Sequence, residues 1–350
     1  MEVKALKFGG LTAKRPIVQG GMGVGVSLSS LAGNVAKCGG IGTISGVHPG
    51  YREADFKENP FRANLRAIGN ELEKAKEIAN GGIIGFNFMT VMNHYEEYVK
   101  EAIAAGADFI VSGAGLPVNL AKYAAGTRAA ILPIVSSARA LKLIVKQWQR
   151  ADRLPDAVVV EGPLAGGHLG YPYGHLVDGT FDTLEDSLVD VGDYVRELEE
   201  KNGVIIPVIA GGGVRSHADM ERLMALGASG VQVGTKFVAT EECDAAPAFK
   251  QAYLRSRKED VQLIESPVGL AARAIRNSFL EKVEKQGRIP VQRCYQCMNH
   301  CKQAETKYCI SQALIDAVQG REGLVFCGAN AYEIEKLSTV EKVMQELCGE

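Results

Sequence analysis

Short hydrophobic runs recur along the first two-thirds of this chain, and polar or glycine-rich stretches separate them. The runs are rich in β-branched residues and do not alternate between apolar and polar positions. This pattern is typical of parallel strands that are buried on both faces. It predicts strands at 16–19, 40–45, 83–89, 109–112, 131–136, 157–161, 207–210 and 231–234.

Segments with helical spacing lie between most of these predicted strands. We predict helices at 28–37, 95–105, 117–125, 138–148, 189–201 and 218–226. Glycine is common just past the end of a helix, and four of these segments are followed by one, at Gly106, Gly126, Gly203 and Gly227. The alternation of strand and helix favours a parallel sheet.

Eight such repeats in about 240 residues have the size of a (β/α)₈ barrel. The alternative is an open doubly wound sheet, which normally carries G-x-G-x-x-G after its first strand when it binds a dinucleotide. That spacing does not occur in the sequence, and neither does the phosphate loop G-x-x-x-x-G-K-[ST]. We therefore predict an α/β fold of the TIM (β/α)₈ barrel type.

The repeat stops near Cys243, and helical spacing returns at 248–257, 270–285, 309–319 and 340–347. We predict a TIM barrel at 1–242 and a helical C-terminal extension at 243–350 that carries a cysteine cluster at 294–309. Two insertions, at 48–82 and 171–186, are expected to leave the ends of strands as loops. The aromatic residues of the second insertion favour a lid over an ordinary surface loop.

Charge and hydropathy narrow the class of protein. The formal net charge is −2 at pH 7, which argues against a general binder of nucleic acid or of anionic membranes. No hydrophobic run has the length of a membrane span, and the first residues lack the layout of a signal peptide. We expect a cytoplasmic enzyme with a small-molecule substrate, and a homo-oligomer is compatible with the sequence.

Three glycine-rich stretches follow predicted strands. Residues 161–170 read Glu-Gly-Pro-Leu-Ala-Gly-Gly-His-Leu-Gly, so that Glu161 and His168 lie just past one strand. Residues 206–214 and 230–237 contain the other two stretches. Glycines at such positions let a phosphate approach backbone N–H groups. The pattern predicts a phosphate-bearing cofactor at the carboxyl ends of the strands.

These motifs, together with Gln19-Gly20-Gly21-Met22 and residues 85–89, resemble the nitronate monooxygenase family, also called 2-nitropropane dioxygenase. That family includes flavin-type enoyl-acyl carrier protein reductases, and residues 269–277 resemble this branch in particular. The similarity covers roughly residues 10–285 and resumes near 323–347. It implies a TIM barrel that binds FMN at its C-terminal mouth.

The resemblance also implies which residues contact FMN. It assigns the phosphate to the backbone of Gly212, Gly213, Gly234 and Thr235. It places Gln19, Gly20, Gly21, Met22 and Asn87 around the isoalloxazine ring, and Glu161 and Gly166 near the ribityl chain, with Gly167 also assigned to the cofactor.

His168 is the candidate catalytic residue. A histidine that is neutral near pH 7 can take a proton alpha to a nitro group, or can orient and protonate a carbonyl-conjugated substrate. A single histidine is more often a structural residue bonded to the backbone. The flanking Gly166-Gly167 motif favours the catalytic role.

The cysteine-rich segment departs from the family pattern. Cys294, Cys297, Cys301 and Cys309 have the spacing C-x₂-C-x₃-C-x₇-C. Clustered thiols without an export signal indicate a metal site, either a [4Fe–4S] cluster or zinc. The first three spacings resemble the cluster loop of another group of FMN barrels, the 2,4-dienoyl-CoA reductase and trimethylamine dehydrogenase type. This resemblance and the possible role of a cluster as an electron relay to a flavin favour [4Fe–4S] over zinc.

Three hypotheses for function remain at this point. The first is an FMN-dependent oxidoreductase that acts on nitronates or related activated carbon acids. The second is an NAD(P)H-dependent ene or enoyl-thioester reductase, which residues 269–277 and an iron–sulfur cluster would favour. The third is a flavin-bearing redox sensor that is not an enzyme.

Overall fold

The structure is a computed structural model that describes residues 4–299 and 301–350. Its strands are β1 (Leu6–Phe8), β2 (Leu11–Ala13), β3 (Ile17–Gln19), β4 (Ile41–Ser45), β5 (Ile83–Met89), β6 (Phe109–Gly113), β7 (Ala130–Val135), β8 (Val158–Glu161), β9 (Gly167–His168), β10 (Val208–Gly211), β11 (Gly230–Val233), β12 (Val261–Glu265) and β13 (Ala271–Ile275). Eight of them, β3 to β8 with β10 and β11, form a closed parallel barrel. The predicted TIM barrel is confirmed, and each predicted barrel strand differs from the observed one by at most one residue at either end.

The helices lie mainly between the strands in sequence. They are α1 (Ser29–Lys37), α2 (Pro60–Ala79), α3 (Tyr95–Ala104), α4 (Leu120–Tyr123), α5 (Ala138–Trp148), α6 (Tyr173–Asp178), α7 (Leu184–Asn202), α8 (His217–Ala225), α9 (Thr235–Val238), α10 (Pro247–Arg255), α11 (Ser278–Gln286), α12 (Ile310–Val318) and α13 (Val340–Cys348). All six helices predicted within the barrel are present. The one predicted at 117–125 is reduced to the single turn of α4.

The prediction of a loop insertion at 48–82 is wrong, because most of it forms α2, the regular crossover helix between β4 and β5. Asn59 caps this helix by accepting a hydrogen bond from the Arg62 N–H at 3.1 Å, and Pro60 occupies its first turn. Its apolar face, with Ile68 and Leu72, packs in the core, while its charged face is exposed. The density of charges on the exposed face concealed the helical period.

The prediction of a helix over 270–285 is wrong in its first part. Residues Ala271–Ile275 form β13, which pairs antiparallel with both β12 and β9, and α11 begins only at Ser278. Alanine favours helix when nothing else decides. In this segment, pairing with β12 and β9 determines the structure instead of helix propensity. The C-terminal extension is therefore not wholly helical. The predicted loop at 171–186 likewise contains the short helix α6 and the start of α7.

The bottom of the barrel is closed by the hairpin of β1 and β2. Leu6 and Phe8 pack against apolar residues at the start of the barrel strands, and the ring of Phe8 meets that of Phe109 edge-on at 6.1 Å. The interior of the barrel is therefore a packed core at its N-terminal end. Only the opposite end, where the strands finish, is left for a ligand.

The last helix of the chain completes the barrel. α13 packs against both α1 and α8, which flank the position that the eighth helix of such a barrel would occupy. Residues on both sides of the predicted boundary at 242 and 243 contribute to one hydrophobic core. The division into units 1–242 and 243–350 stays a prediction.

Candidate active site

A cavity of about 340 Å³ lies at the C-terminal mouth of the barrel. Loops that follow the barrel strands form one wall, and the C-terminal segment forms the other. The predicted site residues in its lining are Gly20, Gly21, Met22, Asn87, Glu161, Gly166, Gly167, His168, Gly212, Gly213, Gly234 and Thr235. The structure thus brings together residues from five separate strand ends.

Gln19 lies one layer below the cavity lining and is fully buried at the end of β3. Its side-chain oxygen accepts a hydrogen bond from the Thr43 N–H at 3.0 Å, and its side-chain nitrogen donates to the Gly20 carbonyl. The side chain therefore fixes the peptide that leads into Gly20 and Gly21. In this structure Gln19 holds in place the segment Gly20-Gly21, which we call the floor of the site.

The floor itself depends on the close approach of two strand ends. A Cβ atom at Gly21 would overlap with the side chain of Asn87, which lies on β5. Only glycine fits at this position without displacing Asn87. The absence of a side chain keeps the Asn87 amide at the cavity surface.

One corner of the cavity is made almost entirely of backbone. Gly212 and Gly213 have φ of +102° and +91°, so both adopt conformations that other residues avoid. Within the described part of the chain, the N–H groups of Gly212, Gly213, Gly234 and Thr235 donate no hydrogen bond. Gly328, from the C-terminal segment, closes this corner, because a Cβ atom there would overlap with the Thr235 hydroxyl. Unpaired N–H groups around a space free of side chains form an anion site.

Glu161 ends β8 and lines the cavity. Burial raises the pKa of its carboxyl group to about 8, although the nearby Arg273 opposes the shift. Below that pH the carboxyl group keeps its proton, so it can donate a hydrogen bond at neutral pH. Its backbone carbonyl accepts a hydrogen bond from the Tyr171 hydroxyl at 3.1 Å.

Arg273 is buried on β13 and secures the loop that follows β8. Its guanidinium group donates to the carbonyl of Pro163 at 3.0 Å and to the carbonyl of Ala165. The fork of an arginine can hold two carbonyl groups at once, which a lysine cannot. Arg273 therefore fixes the loop that carries Gly166, Gly167 and His168.

His168 is held by backbone pairing and by two side chains. It lies on β9, opposite Ala272 of β13. Its Nε2 is 2.8 Å from the Ser266 Oγ, and its ring meets that of Phe326 edge-on at 4.9 Å. Burial lowers the pKa of His168 to about 4, so the ring is uncharged at neutral pH.

Sequence motifs missed most of the wall that the C-terminal segment builds. This wall consists of Phe249, Tyr253, Leu314, Phe326, Cys327, Gly328, Ala329, Asn330, Glu333 and Ile334, and the barrel adds Arg215, Gln232 and Lys236. The renewed family similarity near 323–347 was the one available signal, because it continued past the barrel. His175 is exposed on α6 and does not line this cavity. His48 is buried against Ser311 and does not line it either.

The four clustered cysteines do not line this cavity. Cys294, Cys297, Cys301 and Cys309 all line a second cavity of about 150 Å³. No three or more His, Cys, Asp or Glu side chains among residues 4–299 and 301–350 are spaced to hold a metal ion, so neither expected centre is shown. Cys327 lies in the wall of the first cavity, and His300 lies outside the described residues.

No helix in the described ranges is both long and apolar enough to cross a membrane.

Comparison with known proteins gives consistent results. A "Probable nitronate monooxygenase" of Staphylococcus saprophyticus is 25% identical over 309 residues, which cover 81% of this chain and 82% of that protein. The fold is similar to FabK from Thermotoga maritima, with a TM-score of 0.72, 24% identity and coverage of 96% of this chain and 92% of the other. It is also similar to nitroalkane oxidase from Streptomyces ansochromogenes, with a TM-score of 0.67, 20% identity and coverage of 97% and 96%.

At these identities the two solved structures establish the fold alone. The activity class comes from the family comparison, in which the model of the family described as nitronate monooxygenase matches residues 4–350. The match includes both the barrel and the C-terminal segment that closes the cavity. The chain therefore belongs to the nitronate monooxygenase family of FMN-dependent oxidoreductases.

Proposed function

We propose that this protein oxidises a small nitronate, or a related activated carbon acid, in the cavity at the barrel mouth. The observation that carries the proposal is the pairing, in one cavity, of a backbone anion site with an uncharged histidine. The family match over residues 4–350 supports the same reaction class. The proposal further places the enzyme in the cytoplasm.

The residues present fit FMN. The unpaired N–H groups of Gly212, Gly213, Gly234 and Thr235 suit the terminal phosphate, and Thr235 adds a hydroxyl group. Gly20, Gly21, Met22 and Asn87 would face the ring, and Glu161, Gly166 and Gly167 the ribityl chain. FMN, when bound, supplies a two-electron acceptor that returns electrons to oxygen or to another acceptor.

His168 handles the substrate proton in this proposal. With the ring proton on Nε2 and shared with Ser266, Nδ1 is the free acceptor, and it has no hydrogen bond among the described residues. When the substrate arrives as the neutral nitroalkane, the uncharged imidazole can accept the proton from the carbon next to the nitro group, and this forms the nitronate. A substrate that arrives as the nitronate has already lost this proton. A negatively charged nitronate would then favour the protonated ring and raise its pKa above the value for the empty site.

Glu161 plays a different part, because its carboxyl group keeps its proton at neutral pH. A neutral acid beside the cavity does not repel an anionic substrate, and it can donate a hydrogen bond. Arg273 and Ser266 do not act on the substrate in this scheme. They keep the β8 loop and the His168 ring in position.

A second candidate is an NAD(P)H-dependent reductase of enoyl thioesters or other conjugated alkenes. The favouring observation is that residues 269–277, which resemble the enoyl reductase branch, contain the strand that pairs with His168. His168 would then protonate or orient the carbonyl-conjugated substrate. A flavin redox sensor is the third candidate.

Steady-state turnover with purified, FMN-saturated protein separates these candidates. We expect oxygen uptake with an alkyl nitronate and no NAD(P)H oxidation that depends on an enoyl thioester. The reverse pattern would establish the reductase. Turnover with neither substrate, while FMN stays bound, would contradict both enzymatic proposals and favour the sensor.

A further inference from the structure

We propose that the four clustered cysteines bind an iron–sulfur cluster beside the flavin cavity. Cys294, Cys297, Cys301 and Cys309 come from one loop and all line the same cavity of about 150 Å³. Nothing in the nitronate oxidation described above uses these thiols. The inference therefore stands on the geometry of this loop and does not depend on the proposed substrate.

The size of this cavity favours a cluster over a single metal ion. Four thiolates around one zinc, at about 2.3 Å each, lie roughly 3.8 Å from one another and leave no room between them. Here the four cysteines line a cavity of about 150 Å³, which has more room than a single ion needs. A cluster places inorganic sulfide and iron in the centre, which needs this room.

A buried hydroxyl group in the cavity wall gives independent support. Tyr308 is 3% exposed and lines the cavity, and its hydroxyl has no hydrogen-bond partner in the described structure. A buried polar group without a partner is costly and is usually explained by a missing ligand or water. Cluster sulfides and cysteine thiolates are acceptors that would satisfy this O–H donor.

Several contacts to backbone carbonyl groups fix the loop. Asn93, from the loop after β5, donates two hydrogen bonds to this loop. Its backbone N–H donates to the Cys297 carbonyl at 3.1 Å, and its side-chain amide donates to the Gln296 carbonyl at 2.7 Å. Arg288 donates to the carbonyls of Gln303 and Thr306 at 2.9 and 3.2 Å. A loop that is fixed by such hydrogen bonds keeps the four cysteines close to one another before a cluster binds.

The cluster site and the flavin cavity share one helix. Cys309 is the N-cap residue of α12, where the positive end of the helix dipole favours a thiolate. Leu314, on the same helix, lines the flavin cavity. Five residues of helix span about 7.5 Å along the axis. The proposed cluster therefore lies next to the flavin site.

The test is to purify the full chain without oxygen and to measure iron, acid-labile sulfide and zinc. The proposal predicts about four iron and four sulfide per chain, with a broad absorption band that dithionite bleaches. About one zinc per chain without this band would overturn it. Metal-free protein with four reactive thiols in this loop, after reconstitution with iron and sulfide under reducing conditions, would also overturn it.

Cysteine-to-serine variants test which residues bind the cluster. Cys294→Ser and Cys309→Ser should each lose most of the iron and sulfide, while Cys38→Ser, on the barrel surface outside this cavity, should keep both. Cys294 is exposed, so its replacement is not expected to disturb the fold, and circular dichroism checks this. Full iron content in both loop variants would contradict the assignment.

Tyr308→Phe tests whether the Tyr308 hydroxyl, which has no partner in the described structure, donates a hydrogen bond to the cluster. The variant should keep the cluster but lower its reduction potential, because a hydrogen bond to cluster sulfur stabilises the more negative, reduced form. An unchanged potential would overturn the inferred contact between Tyr308 and the cluster.

Discussion

The two walls of the active-site cavity are built in different ways. The barrel wall presents backbone: Gly20, Gly21, Gly212 and Gly213 keep side chains away, and unpaired N–H groups face the space. The C-terminal wall presents side chains, including the aromatic ring of Phe326. His168 lies where the two meet, because β9 pairs with β13.

This difference separates two tasks. A backbone surface can hold a phosphate without any particular side chain, so it suits a cofactor. A side-chain surface can vary while the barrel stays constant, so it suits the choice of substrate. Changes on the barrel wall should therefore affect FMN binding, and changes at the junction should affect catalysis or the docking of the two walls.

The largest effect is expected from Gly234→Asp on the barrel wall. A carboxylate about 4 Å from the phosphate would cost on the order of 4 kcal/mol at an effective dielectric constant of 20, which weakens FMN binding about a thousandfold. Gly234→Ala is the matched control, since a Cβ atom there lies 3.3 Å from the flexible Met22 sulfur and should be accommodated. Fluorescence titration with FMN measures both. Equal dissociation constants would contradict a phosphate site at Gly234.

His168→Ala tests the junction, the place where the barrel wall and the C-terminal wall meet. With a neutral nitroalkane as substrate, we expect turnover to fall by roughly 10²–10⁴-fold while FMN stays bound, because the proton acceptor is lost and the phosphate corner is untouched. His175→Ala, at an exposed position on α6, should retain full activity.

The pH profile of the unmutated enzyme adds a check on His168. Since burial lowers the pKa of His168 to about 4, kcat/KM should not decline at the ordinary histidine pKa near 6.5 but only as the pH falls towards 4. A fall centred near 6.5 would show that the ring is not desolvated in the free enzyme.

Arg273→Lys tests how the two walls are joined. Lysine cannot reach both the Pro163 and Ala165 carbonyls, so the free energy of unfolding should fall by about 2–3 kcal/mol. Arg276→Lys is the control, because Arg276 is exposed and its ion pairs with Glu281 and Glu284 should contribute less than about 1 kcal/mol. Urea unfolding at equal FMN saturation measures both. Equal losses in the two variants would contradict the role of Arg273.

Glu161→Gln changes how the free energy of unfolding depends on pH. The folded pKa of about 8 lies above the unfolded value near 4.3, so between these pH values the folded protein holds a proton that the unfolded chain has released. Stability of the unmutated protein should therefore decline as the pH rises through this window, by at most about 1.4 kcal/mol per pH unit. The variant lacks this slope. Urea unfolding between pH 5 and 8 measures it, and parallel pH curves for the two proteins would contradict the raised pKa.

The barrel wall was largely predictable from the sequence, and the C-terminal wall was not. Strands such as Ile83–Met89 carry their own hydrophobic signal, and the glycines after them form ordered motifs. The segment Ala271–Ile275 resembles a helix locally and becomes a strand only because β12 and β9 lie beside it. Such long-range pairing leaves no periodicity in the segment itself.

The same contrast holds for individual site residues. Gly212 and Gly213 were found because glycine after a strand has a direct physical meaning. Arg273 lies within residues 269–277, but its hydrogen bonds reach Pro163 and Ala165, which are 110 and 108 positions away in the sequence. The hydrogen bond that Gln19 accepts from the Thr43 N–H could not be predicted from the sequence, because it depends on how β3 and β4 pack in the barrel. The placement of Gln19 near the ring stays a prediction.

The most direct test of this account is a crystal structure of the protein with bound FMN. The phosphate oxygens should lie within about 3.2 Å of the N–H groups of Gly212, Gly213, Gly234 and Thr235. The ring should lie between Gly21 on the barrel wall and His168 at the junction. A phosphate held instead by the side chains of Arg215 or Lys236, or a ring out of reach of His168, would contradict the division of the cavity into a cofactor wall and a substrate wall.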